Sequence, residues 1–567
     1  MPQANLLTRL SEWQNHLRVM NLARQVAAHA PHALAQQPVV FFNASSRITG
    51  LSQNAAFSLL ASWGLRLAGV PVQHFVCQRG MSHCVLGVNR ENYHKPPPCK
   101  ACIRQSRRLY LGADTYGFGY QPDPDLVHAL ENLSILELSD FEYRKIKGSL
   151  VTPGLSLPLG RLVLPSIRWS LRRHTLLDDP ETRYLMREFI LSAYNIAQEF
   201  SAFLEKVKPV TAVIFNGMTY PEAMARWIAS ARGLRVITYE VGFQRFSAFF
   251  TEGEATAYPI SVPKDFDLNE QQNEKLDQYL EQRFQGQFTM AGIRFWPEMR
   301  SLGKSFLKKA EKYRQIVPIF TNVIYDTSQV HANTIFPHMF AWLNSVLEII
   351  RAHPETLFVI RAHPDEMRPG TAKQSRESVR EWAAQTGVNS LPNVVFIDSQ
   401  ELISSYELIQ RSKFIMIYNS SIGLEASLLG APVLCGGKAR YTDYPIVFFP
   451  QSGNPHERQQ EYIATAHKFL DMDQIEVPPE FRRNARRFLY YQLFRSSLSF
   501  KDFLKDGYRK GYVQLLPFTW QALLPENSPT IQVLQEGISE QGANQKKRLR
   551  TKESEEPPPS FMAEECG

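Results

Sequence analysis

The sequence predicts an α/β protein built from two doubly wound sheets, and three observations carry that expectation. Short apolar runs such as Val39–Phe42 and Leu357–Ile360 alternate with helix-length amphipathic segments along most of the chain. The polar turns that leave these runs open directly into helices, as strand–helix–strand units of a parallel sheet require. The 567 residues are too many for one hydrophobic core and suit two to four domains.

In chain order, residues 1–36 read as a helical segment, with Leu6, Leu10, Trp13, Leu17 and Leu22 at roughly helical spacing. Residues 37–263 read as the first sheet domain. Its strands are Val39–Phe42 and Val72–Val76, with a loop Asn43–Gln53 (Ser45 and Ser46 included) and a helix Ala55–Leu67 between them. Leu126–Asp179 is mixed in pattern, turning on prolines from Pro153 to Pro165, with Arg168, Arg172 and Arg173 as a small basic run near Trp169. A helix Glu181–Val207 leads to strand Val210–Phe215, helix Glu222–Arg232 and strand Val236–Tyr239. Glu240 then stands at a strand's carboxyl end, where a carboxylate can act as a base or nucleophile; a strand-end surface acid is the plainer alternative.

Four of the six cysteines fall in one insertion, residues 74–105, as Cys77, Cys84, Cys99 and Cys102. Clustering of this kind in a cytosolic chain points to metal rather than disulfides. Cys99-Lys100-Ala101-Cys102 allows both thiolates to face one ion, while the first pair, six residues apart, is unorthodox. A structural zinc, an iron–sulfur cluster and free thiols all remain open.

Residues 264–312 read as a charged helical bridge, and residues 313–475 as a second sheet domain. Strand Ile316–Phe320 runs into Thr321-Asn322-Val323-Ile324-Tyr325-Asp326, and Asn322 and Asp326 are expected to cover a cleft. After helix Phe336–Arg351, strand Leu357–Ile360 ends in Arg361-Ala362-His363-Pro364. This sets a guanidinium and an imidazole at a strand's carboxyl end, where open α/β sheets bind ligands. Helix Ser375–Gln385, strand Val394–Ile397 and helix Ser404–Gln410 continue the alternation. Strand Phe414–Tyr418 then meets the turn Asn419-Ser420-Ser421 and a helix from about Gly423 to Leu429. The two hydroxyls and the N–H groups of a helix mouth suit an anion, with Glu425 in or near the first turn. Equally, Ser420 or Ser421 could serve only as an N-cap.

Thr321–Asp326, Arg361–Pro364, Tyr418–Glu425, Gly430-Ala431-Pro432 and Tyr441 together resemble the bacterial capsule and surface polysaccharide synthesis family of GT-B glycosyltransferases. The resemblance implies a GT-B-like fold: two facing Rossmann-type domains, with C-terminal helices (residues 476–525) crossing back onto the first. It implies a nucleotide-sugar donor, most similar to the CMP-linked acidic sugars such as Kdo, and a glycan or lipid-linked acceptor. It casts Arg361, His363, Asn419, Ser420, Ser421 and Gly423 around the donor phosphate, with Glu425 and Tyr441 on sugar or ribose hydroxyls. His363, Glu240 and Glu425 are the catalytic candidates. Teichoic-acid-type polyol-phosphate transfer is an alternative, although Tyr418-Asn419 replaces the aspartate-rich turn expected there. A non-catalytic scaffold is another.

The Asp-x-Asp pairs at Asp123, Asp265 and Asp471 fall in loops or helix flanks, so no catalytic metal is expected. A net charge of +8 favours anionic partners but comes with no nucleic-acid motif. No window approaches eighteen apolar residues and the first twenty lack a signal-type apolar core, so a cytoplasmic protein is expected. The basic amphipathic stretch with Arg482, Arg483, Arg486 and Arg487 offers peripheral contact with the inner membrane face. Residues 526–567 turn polar and charge-blocked and are expected to be disordered.

Overall fold

The computed structural model describes residues 6–31, 37–44, 50–144, 156–284, 299–368, 374–509 and 511–539. Ser45, Ser46 and Pro153, and the bridge over 285–298, lie outside these residues. Among the described residues twelve strands form the two expected sheets, eleven in chain order up to residue 435 and a twelfth added by the returning chain. The first contains β1 (Val39–Asn43), β2 (Val72–Cys77), β3 (Asp114–Phe118), β4 (Thr211–Phe215), β5 (Arg235–Val241) and β6 (Ser247–Glu252). The second contains β7 (Gln315–Phe320), β8 (Thr356–Arg361), β9 (Val394–Ile397), β10 (Ile415–Ile417) and β11 (Val433–Cys435).

Both parallel cores have the same winding. The first runs β3-β2-β1-β4-β5 and the second β9-β8-β7-β10-β11. Each therefore reverses direction at its first and fourth strands, the crevice where doubly wound sheets take ligands. Period-two alternation explains why both faces are covered. Val39 and Phe41 enter one apolar cluster while Val40 and Phe42 enter the other. The result is an α/β, GT-B-like arrangement of two Rossmann-like sheets.

Sequence pattern missed β3 and β6. β3 is an edge strand, Asp-Thr-Tyr-Gly-Phe, buried only at Phe118, so it lacks an apolar run. β6 pairs antiparallel to β5 and extends the sheet beyond its parallel core. The helix expected over Ser375–Gln385 is Val379–Thr386 instead. Ser378 and Glu381 form a reciprocal capping box that fixes its start.

In the first helix, Leu6–His29, the expected apolar stripe is only half right. Leu22 is buried with Val19, Ala23 and Val26, while Leu10, Trp13 and Leu17 lie exposed on the other side.

The chain returns from the second domain through the helix Pro479–Tyr490, then pairs Leu498–Ser499 (β12) with β6. Three of that helix's four arginines have partners within the chain. Arg483 pairs with Asp267, Arg486 with Asp277, and Arg487 donates to the Pro263 and Lys264 carbonyls, while Phe488 and Leu489 are buried. This stretch packs as an interdomain strut, with Arg482 and Arg483 on its exposed side. Among the described residues no helix is long and apolar enough to cross a membrane.

The expectation of disorder from residue 526 needs correction. Pro529–Ile538 forms a helix, capped by Ser528, that buries Ile531, Leu534 and Ile538 against the first domain. Its apolar face is short and sits beside long charged blocks, which dominate a compositional reading. Gly64 is required opposite it, because a Cβ there would meet Ile531.

Candidate functional site

The second sheet's switch point opens into a cleft of about 450 Å³, within the range of small-ligand sites. Arg361, His363, Asn419, Ser420, Ser421, Asn322, Asp326, Glu425 and Tyr441 all line it. Apart from Tyr441, which follows β11, they come from the carboxyl ends of three adjacent strands, β8, β7 and β10, and the turns and helix that follow them. Asn322 and Asn419 tie two of those loops together, with Asn322 Nδ2 donating to Asn419 Oδ1 at 2.7 Å. Asp326 is held as a turn acceptor for the Ser328 N–H and hydroxyl.

Arg361 is only 2% exposed. Its Nη1 donates to the Asp398 carbonyl at 2.7 Å, but Nε and Nη2 have no hydrogen-bond partner among the described residues. Burial pulls its pKa down to about 10, so it stays charged at neutral pH. A buried guanidinium with two unused donors is costly unless an anion meets it. His363 Nδ1 accepts the Asp365 N–H at 3.1 Å, which puts the ring proton of the neutral form on Nε2.

Ser421 precedes the short helix Ile422–Leu428, yet its hydroxyl makes no cap hydrogen bond, and Ser421 is exposed. The capping alternative for Ser421 therefore does not describe the structure. Tyr441 is buried and donates from its hydroxyl to the Ser420 carbonyl at 2.7 Å, bracing the turn from behind. Gly423 admits that ring, because a Cβ there would strike Tyr441 and Ile417.

Glu425 is tied down. Arg283 Nε donates to it at 2.9 Å and Tyr406 at 2.6 Å, with Glu425 only 5% exposed. Burial pulls the Arg283 guanidinium down, and the adjacent Glu425 more than reverses this. These bonds make Glu425 a clasp that anchors the helix rather than a carboxylate awaiting a substrate hydroxyl.

The first domain forms the opposing wall through Val241–Phe243 and Thr256–Tyr258. Glu240 sits just behind that wall. Asn54, Asn216 and the Val241 N–H all donate to its carboxylate. Burial, with Asp326 across the cleft adding to it, raises its pKa above the ordinary carboxylate range. Sequence reasoning missed Arg440, which lies over Phe243 at 4.7 Å and donates to Gln492 at 2.8 Å. It also missed His331, within 3.1 Å of Thr256. Both bridge the domains. The only signal for Arg440 is its place beside Tyr441, after Gly436-Gly437.

Cys77, Cys84, Cys99 and Cys102 are free thiols around one small cavity, remote from this cleft's lining. Burial pushes Cys77 and Cys84 up to about 12. Among the described residues no three His, Cys, Asp or Glu side chains stand at metal-coordinating spacing. Cys435 is apart, its thiol donating to the Tyr418 and Gly437 carbonyls.

Comparison with known proteins gives distant likenesses. No curated protein matches the chain. Among solved structures, Thermosulfurimonas dismutans KpsC, described as a beta Kdo 2,4 transferase, is 13% identical, covering 46% of this chain and 79% of its own, with a TM-score of 0.30. The KpsC beta Kdo 2,7 transferase of the same organism is 12% identical over 56% of this chain and 85% of its own, also at 0.30. An S. aureus MnaA–UDP structure is 12% identical over 52% and 75%, at 0.24. The family model described as "Capsule polysaccharide biosynthesis protein" matches residues 290–446, which include the β7, β8 and β10 loops of the cleft. Over that segment the chain is similar to capsule polysaccharide biosynthesis proteins.

Proposed function

We infer that the chain transfers a sugar from a nucleotide donor, with a CMP-linked acidic sugar such as Kdo favoured, onto a capsule or surface glycan, free or lipid-linked. The observation that carries this is Arg361, a buried cation with two unused donors at the switch point of a Rossmann-like sheet. The donor phosphate supplies the anion that this guanidinium needs. Ser421 and Ser420 with their N–H groups bind its other oxygens, and negative charge growing on the leaving phosphate is stabilised by fixed dipoles and cations. His363 Nε2–H donates a hydrogen bond to the leaving phosphate oxygen, which departs as an anion. Glu240, with its raised pKa and its neighbours in the facing wall, takes the proton from the acceptor hydroxyl.

A thermal-shift panel of CMP, UDP, GDP and CDP identifies the base, and slow hydrolysis of the matching nucleotide sugar identifies the catalyst. Arg361→Ala is expected to weaken nucleotide binding by roughly tenfold to a hundredfold, the loss of a charge-assisted pair. Arg361→Lys restores little, because a point charge does not replace the fork. Binding at wild-type strength in Arg361→Ala rules out the proposed phosphate site. Transfer from a CDP-linked polyol instead identifies the teichoic-type reaction, and no turnover of any donor leaves a scaffold.

A further inference from the structure

Four thiols that the cleft does not use meet in the first domain. Cys77, Cys84, Cys99 and Cys102 border a space of about 20 Å³. That is room for a body the size of one water molecule and for no organic ligand.

Three local devices deliver these sulfurs. Cys77 ends β2, and the chain turns at once through Arg79, at φ 62°, so that the Gly80 N–H donates to Cys77 Sγ at 3.1 Å. A Cβ at Gly80 would run into the Phe118 ring. Cys84 repeats the spacing in Cys84-Val85-Leu86-Gly87. The Gly87 N–H closes the turn on the Cys84 carbonyl at 3.0 Å, and a Cβ there would come within 2.8 Å of Cys84 Sγ. Both cysteines thus stand in C-x-x-G turns whose glycine lets backbone approach the sulfur. Cys99 and Cys102 share the first turn of the helix Cys99–Leu109, after Pro98, which gives no side-chain cap. The positive end of that helix faces them.

Between β2 and that helix, residues 78–98 form no helix or strand, an unusually long stretch to hold its shape without a brace. The nearby histidine is committed elsewhere, with His83 Nε2 at 2.8 Å from the Tyr93 carbonyl.

We propose that Cys77, Cys84, Cys99 and Cys102 bind one zinc ion that fixes the 78–98 loop to the rim of the first domain. Four soft sulfur donors suit a single tetrahedral ion, and the cavity has no room for the bridging sulfides of a cluster. The thiols share the space without standing at coordinating spacing, so binding draws them inward as each loses its proton. The braced loop has a task. Arg376 of the second domain donates to the Tyr93 hydroxyl at 3.3 Å and to the Arg90 carbonyl at 3.4 Å. The ion therefore stiffens the surface against which the second domain rests, whatever the cleft binds.

The test uses the full chain purified without chelator. Elemental analysis is expected to give about one zinc per chain, released into a colorimetric indicator as four thiols are mercurated. Cys99→Ser/Cys102→Ser loses the metal and Cys435→Ser keeps it. Iron with acid-labile sulfide overturns the proposal, as does a full complement of zinc in the double variant. Zinc below about 0.2 per chain, with all four thiols open to a disulfide reagent in the native protein, also overturns it. Should the double variant fail to fold, the metal content and thiol protection of the unaltered chain decide.

Discussion

Arg361 ends β8 and Glu366 lies in the loop that follows, and burial acts on them with opposite outcomes. It lowers the guanidinium to about 10, which leaves it charged, and lifts the carboxyl to about 8, which leaves it mostly neutral. The rise at Glu366 comes from burial first, then from Asp398 and Glu381, against the Val379 N–H that favours the charged form. Its Oε2 has no hydrogen-bond partner among the described residues. Between the ordinary value of 4.5 and about 8 the folded chain keeps this proton and the unfolded chain does not. Stability therefore falls as pH rises through that window, by at most about 1.4 kcal/mol per pH unit. Glu366→Gln removes this slope while keeping the acceptor for Val379. Its melting temperature should exceed that of the unaltered chain by more at pH 8 than at pH 5. An equal difference at both pH values would show that Glu366 is ionised in the folded protein.

At the scale of elements, the β10 turn and its short helix depend on close approaches that no propensity reveals. The helix Ile422–Leu428 has too few residues to stand alone. It is held by Glu425 in the Arg283–Tyr406 clasp and by Tyr441 beneath the Ser420 carbonyl. Gly423→Ala puts a methyl group where the Tyr441 hydroxyl and Ile417 sit. A loss of about 1–3 kcal/mol is expected from overpacking, together with weaker nucleotide binding as the turn shifts. Denaturant unfolding measures the first and calorimetric titration the second. Unchanged values for both would mean that the turn does not lean on Tyr441. The sequence displayed the Ser-Ser turn and Gly423 but not the reason for the glycine, which lies eighteen residues further on.

At the scale of the whole molecule, a polar clasp joins the two domains in addition to the strut. Glu377 accepts the His174 and Thr175 N–H groups at 2.7 and 2.8 Å and the Thr175 hydroxyl at 2.6 Å. His174 also lies against His338 at 4.7 Å between ring centres, and Arg376 N–H reaches the Arg172 carbonyl. The basic run at Arg168–Arg173 is thus an interdomain contact rather than a free solvated face. Glu377→Ala breaks the clasp without touching either sheet, at a cost of roughly 2 kcal/mol to the closed arrangement. Solution scattering should show a larger radius of gyration, with donor KM raised several-fold and circular dichroism unchanged. Unaltered scattering and KM would make the contact incidental to closure.

The residues alone determined the alternation of strands and helices, the two winding units and the chemistry available at the β8 and β10 ends. These are local matters: an apolar run of period two, a turn of small polar residues, and a cation just after a strand. Tertiary structure decided which of those groups have anything left to bind with. Arg361 is left with two unused donors because a neighbouring carbonyl satisfies just one nitrogen, whereas Glu425, equally polar in sequence, is consumed by Arg283 and Tyr406 from elsewhere in the chain. It also decided that Ile531, Leu534 and Ile538 pack as a helix on the first domain despite their charged surroundings. Hydrogen-bond saturation and burial depend on contacts between residues far apart in sequence, and no pattern within a single stretch encodes them.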